Sequence, residues 1–282
     1  MGGVTLADKI EKESKLIENV GSVAGGAVGG VIGTVVAGPG GAVLGASAGT
    51  LIENAVKKLG EDIKERKLSK AENKKVGSVY TLASENINKK LIAGKTLRED
   101  SFFEESETDR SSAEEILERT LFAAQREAEE KKLPYYARMF ANIAFSTDVS
   151  RPIANQTIKI AEQLTYRQLL ILNAIATFQI GGVPLKKTAY GSVAGLTNVA
   201  IASEIFELYR MSLLSSSSVI FDNAGINPSA LSITGYGAHI FYLMELHTLI
   251  PDCDNVQLMA EITEFLTGIE VCTQRVTPEN GS

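Results

Sequence analysis

Tryptophan is absent from this 282-residue chain, cysteine and histidine occur twice each, and aromatic residues make up 6%. Each scarcity excludes a class. Two cysteines, Cys253 and Cys272, make no disulfide framework, and no CxxC pair points to zinc. His239 and His247 lie eight apart with no third ligand in reach, so no metal is expected. The few aromatics do not furnish a base-stacking surface. A net charge of −6 argues against general nucleic-acid binding. With 44% hydrophobic and 22% charged residues the chain is nonetheless not of disordered composition.

Catalytic signals are also missing. Gly45-Ala46-Ser47-Ala48-Gly49 fits GxSxG, but the serine lies in a Gly/Ala helical row without the strand that a nucleophile elbow needs. Gly94-Lys95-Thr96 resembles the end of a P-loop, yet the first glycine of that motif falls on Lys89. No enzyme and no cofactor are expected.

Charge itself is absent from one long stretch. Asn19 to Ile52 are 34 uncharged residues, eleven of them glycine. Gly21, Gly25, Gly29 and Gly33 fall four apart, as do Gly41, Gly45 and Gly49. Residues four apart share a helix face, and a glycine row there lets a second helix approach closely. Gly38-Pro39-Gly40-Gly41 separates the rows as a turn. The pattern predicts a helical hairpin with legs near 20–37 and 41–56. Each glycine costs about 1 kcal/mol against alanine inside a helix, so repeated spacing implies close packing that offsets it. Two readings stand: a membrane-active or self-associating hairpin, and a tight helical pair buried in a soluble fold. The second leg holds 12 uncharged residues, about 18 Å of helix and too short to span a bilayer.

The charge present elsewhere comes in blocks. Residues 57–98 carry a net +7, 99–115 a net −7, 116–196 a net +4 and 197–282 a net −8. Lys57, Lys58, Lys64, Arg66, Lys67, Lys70, Lys74 and Lys75 follow the hairpin directly. Such a block suits an anionic cytoplasmic leaflet, at about 1 kcal/mol per charge near the surface. The alternative is a solvated helix pairing these cations with Glu61, Asp62, Glu65 and Glu72. The first eighteen residues are an amphipathic, charged stretch and not a secretory signal, which predicts a cytoplasmic protein peripheral to, or inserting into, the inner membrane.

The acidic, aperiodic run 99–112 reads as a linker. Ser112 with Glu115 makes a capping box for a helix to about Lys132, and Pro134 opens another over 134–146. Arg151-Pro152 starts a third, to about Leu164, and Thr165 caps a fourth over 166–178. A Gly-rich loop at 181–195 precedes a helix over 198–214. Strands at 217–221 and 231–234 are expected across a turn at 222–225, then helices over 235–249 and 255–269. Helix, helix, hairpin, helix is the order of a winged helix. From 197 onward only Arg210 and Arg275 are basic, so a protein partner is expected over DNA. The expected fold is mainly α: a Gly-rich hairpin with its basic helix over 1–98, the linker 99–112, a helical body over 113–164, and a winged-helix-like module with one β-hairpin over 165–282.

The stretch Leu133-Pro134-Tyr135-Tyr136-Ala137-Arg138-Met139-Phe140-Ala141-Asn142-Ile143-Ala144 lies between a charged helix and a Leu-Thr-Tyr-Arg-Gln-Leu helix. Leu213-Leu214 then precedes the hairpin, and Leu231-Ser232-Ile233-Thr234-Gly235-Tyr236-Gly237 opens the next helix. This succession, over roughly 113–249, resembles the Abi-alpha type of phage abortive-infection protein. The resemblance implies bacterial antiphage defence and brings no catalytic residues. The glycine hairpin resembles, by composition, the apolar hairpins of colicin-like pore formers. Together these lead to the expectation of a homo-oligomeric effector that perturbs the inner membrane when a trigger, such as a phage protein, engages it. A soluble scaffold or adaptor with a buried hairpin is the rival, and an acidic winged-helix regulator a third reading.

Overall fold

The computed structural model describes residues 68–105, 110–187, 195–248 and 256–270. The glycine rows, with Gly21, Gly25, Gly29, Gly33, Gly41, Gly45 and Gly49, and the cations Lys57, Lys58, Lys64, Arg66 and Lys67 lie outside them. The described chain is mainly helical, with eight α-helices and one two-stranded antiparallel sheet. It divides into two compact units after Gln163.

The first unit contains α1 (Lys70–Ile92), α2 (Ser112–Arg126), α3 (Leu133–Ile143) and α4 (Arg151–Gln163). Helix α1 packs on α3 and α2, and α2 packs in turn on α3 and α4. The core between them holds Val79, Ile116, Leu117, Leu121, Met139, Ile143 and Ile158, all buried. Each such side chain contributes about 1.5–3 kcal/mol on leaving water.

Three local expectations change here. The helix expected from Ser112 to Lys132 starts one residue earlier in its cap and stops at Arg126. Ser111 accepts from the Glu114 backbone N–H, while the Glu114 carboxylate accepts from that of Ser111. Glu115 is unavailable for the alternative box because it accepts from Asn155 and pairs with Arg151 of α4. At Glu127 the backbone turns extended, φ −64° and ψ 126°, and the side chain goes inward.

The acidic linker is the second change. Residues 101–103 form a 3₁₀ turn that buries Phe102 and Phe103 edge to face, with centroids 5.1 Å apart. Arg98 anchors this strap. Its guanidinium holds Asp100 with two bonds, donates to the carbonyls of Ile143 and Val149, and lies 4.3 Å from the Phe102 ring centroid. Residues 70–98 thus pack with the helices that follow, inside the first compact unit.

The second unit contains α5 (Tyr166–Ile180), α6 (Leu196–Arg210), β1 (Leu214–Ser216), β2 (Leu231–Ile233), α7 (Tyr236–Leu243) and α8 (Val256–Thr267). Thr165 caps α5 in a full capping box with Gln168. The third change is the strand register: β1 occupies 214–216 instead of 217–221, pairing Leu214 with Ile233, Ser215 with Ser232 and Ser216 with Leu231. Gln179 of α5 grips β2, donating to the Leu231 carbonyl and accepting from the Ile233 N–H. Leu213 and Leu214 are then drawn into the core. Gly237 permits α7 to cross them, since a Cβ there would stand 2.0 Å from the Leu213 carbonyl oxygen.

Candidate functional site

Of the cations expected at a lipid surface, the structure describes Lys70, Lys74 and Lys75, all at the start of α1. Ser69 and Glu72 cap that start reciprocally. Glu72 also accepts from Gln125 of α2 at 3.0 Å. The Gln125 and Ser69 hydrogen bonds hold the Glu72 carboxyl down at about 2. Lys70 is exposed and Lys74 half-buried. Lys75 turns inward, its ammonium donating to the Glu127 carbonyl at 2.5 Å. That oxygen closes the C-terminal end of α2, where a cation is favoured by the helix dipole. Lys75 thereby ties α1 to α2, and a lipid headgroup would have to break this tie to reach it.

Beneath the tie lies a buried polar cluster. Glu127 accepts from Lys132 Nζ at 2.5 Å, from Tyr136 OH at 2.8 Å and from the Glu129 backbone N–H at 3.0 Å. The Lys132 side chain is 1% exposed, and Tyr136 is fully buried. Burial opposes the charge of Glu127, but the Lys132 hydrogen bond and the Glu129 N–H outweigh it, and the carboxyl lies below its ordinary value. Burial and the Glu127 charge push the Tyr136 phenol far above its ordinary value of 10.0. A cluster whose carboxylate oxygens are both engaged fits a structural clasp better than a general base. Charge and spacing give no sign of it in the sequence.

In the second unit, Arg167 holds Glu204 through two bonds of 2.6 and 2.9 Å, and Gln168 donates to Glu207. These fix α5 against α6. His239 and His247 stand beside the rings of Tyr236 and Phe241, with centroids 6.3 and 6.0 Å apart. Among the described residues no group of three or more His, Cys, Asp or Glu is placed to hold a metal ion. Among the same residues no helix is long and apolar enough to cross a membrane.

What the sequence reading missed on this unit is an apolar surface. Leu196 and Val199 stand exposed on the first turns of α6, and Val219 and Phe221 stand exposed on the loop between β1 and β2. The misplaced first strand concealed it, because alternation over 217–221 reads as a half-buried strand. None of the family models, curated proteins or solved structures compared with this chain matches it.

Proposed function

We propose that this chain is a bacterial antiphage effector of the abortive-infection kind, which self-associates through its glycine-row hairpin and perturbs the inner membrane when triggered. The observation that carries the reading is the succession in the sequence of two glycine rows at four-residue spacing and a net +7 block over 57–98. The resemblance of 113–249 to the Abi-alpha type supports it. Residues 113–282 would then be the regulatory body, and the order α5, α6, β1, β2, α7 supports a winged-helix-like module within it.

The resting protein is expected at the cytoplasmic face, loosely attached through its cations, because the second hairpin leg is too short to span on its own. High salt should release it, since exposed charges beyond a Debye length of about 3 Å at 1 M are screened. Carbonate extraction and dye leakage from anionic vesicles test the two halves. Resting protein that resists carbonate is already integral. A chain that causes no leakage at any concentration is not a membrane effector.

The second reading, a soluble scaffold with its hairpin permanently buried, draws on the Lys75 and Gln125 ties, which fold the end of the basic block into the helical unit. Replacing Gly25 and Gly29 with Leu separates the two readings. The effector loses oligomerisation and toxicity while residues 68 onward stay folded. The scaffold loses its fold.

A further inference from the structure

We propose that the apolar surface formed by the start of α6 and the β1–β2 loop docks a cationic amphipathic segment of a partner protein. On α6, Ile201, Ala202, Ile205 and Leu208 face the core. Helical spacing puts Leu196, Val199 and Ser203 on the opposite side. Leu196 is 87% exposed. On the loop, Ile220 is buried while its flanking residues point out, Val219 at 71% and Phe221 at 87% exposed.

The two sets are held together. The Asp222 carboxylate accepts from the N–H groups of Ala224 and Gly225, which fixes the 3₁₀ turn 223–225. That turn packs on α6, where Asn223 Nδ2 donates to Ser203 Oγ at 3.4 Å. Phe221 is two residues before Asn223, a span of at most about 7 Å. Val199 is one helical turn before Ser203, about 6 Å along the axis. Large apolar side chains exposed on two elements that pack together mark an interaction surface, because burying each gains about 1.5–3 kcal/mol.

Charge selects the occupant. Asp222 adjoins Phe221, and Glu207 lies one turn past Ser203; both are exposed. No Lys or Arg occurs from Leu196 to Tyr209 or from Met211 to Thr248, and the nearby Arg167 is already held by Glu204 through two bonds. Nucleic acid finds no phosphate contacts here. A second copy would set acid against acid. A helix with an apolar stripe flanked by Lys or Arg meets both the apolar centre and the acidic rim.

This docking deepens the sensing role proposed above and rests on it, yet it is tested by binding alone. The probe is a labelled synthetic amphipathic helix of Leu and Lys, titrated into the full chain by fluorescence anisotropy; a Leu and Glu helix with the same apolar stripe is the control. The Lys peptide should bind, and binding should weaken at least about tenfold in Phe221→Ser, Leu196→Ser or high salt. These exposed positions should leave the fold intact, checked by circular dichroism. The proposal is overturned if the Lys peptide does not bind, if both variants bind it as the parent does, or if the Glu peptide binds equally well. It is also overturned if Phe221→Ser dissolves a dimer seen by sedimentation, since the occupant is then a second copy. Dye leakage by the concentrated chain should be indifferent to Phe221→Ser. If leakage is absent altogether, the effector reading fails while the titration still stands.

Discussion

Lys132 shows how much one side chain can hold in place. Its ammonium is nearly without solvent and is matched by Glu127, which also receives Tyr136. Lys132→Met removes the cation and leaves a buried carboxylate, an arrangement that costs about 3–5 kcal/mol. Urea denaturation should show that loss, and Lys132→Met combined with Glu127→Leu should recover much of it, because the pair then leaves together. Gly237 is a second such position. Its α-hydrogen faces the Leu213 carbonyl, and a methyl there would overlap it at 2.0 Å. Gly237→Ala should cost about 1–3 kcal/mol by overpacking, read as a lowered urea midpoint with an unchanged slope.

At the scale of elements, helix ends follow from capping and from what the next helix demands. Two serines stand at the start of α2, Ser111 just before it and Ser112 as its first residue, and both have Glu three residues on. Only Ser111 caps, because Glu115 is drawn to Asn155 and Arg151. Ser111→Ala should therefore lower stability by about 1 kcal/mol, and Ser112→Ala should lie within about 0.5 kcal/mol of the parent. Equal losses at the two positions would place the cap elsewhere. The strap at 101–103 belongs to the same scale. Two phenylalanines and the Arg98 guanidinium fold residues 98–103 of an acidic run onto the first unit.

At the scale of the whole molecule, the lowered carboxylates gather in the first unit: Glu72, Asp100 and Glu127 all titrate below their ordinary values of 4.5, 3.8 and 4.5. A depressed carboxylate contributes stability above its unfolded pKa and loses it as pH falls through the folded one. The first unit should therefore weaken from about pH 4.5 downward, the Glu72 contribution falling away across the window from 4.5 to about 2. Tyr136 has the opposite sign: its raised pKa favours the fold below 10.0 and withdraws that support in stronger alkali. With no tryptophan in the chain, near-ultraviolet circular dichroism of the tyrosines is the suitable measurement. An acid-induced loss above pH 5 would not fit these three groups.

Local sequence sufficed for the helical character and the Thr165 cap, and it approximated α3, α4 and α5. Those signals are local: a 3.6-residue apolar period and side chains that reach their own backbone three residues away. It also determined the charge blocks and glycine rows, which carry the functional reading. Tertiary structure decided what depends on distant partners. Gln179 grips β2 from more than fifty residues away, and the strand that pairs with β2 starts three residues earlier than the alternation suggests. Lys132 and Tyr136 pull Glu127 out of the helical path and end α2 six residues before Lys132. The Glu127 carbonyl draws the half-buried Lys75 onto the end of α2. None of these choices has a sequence signature, because the residues that make them meet only after the helices have packed.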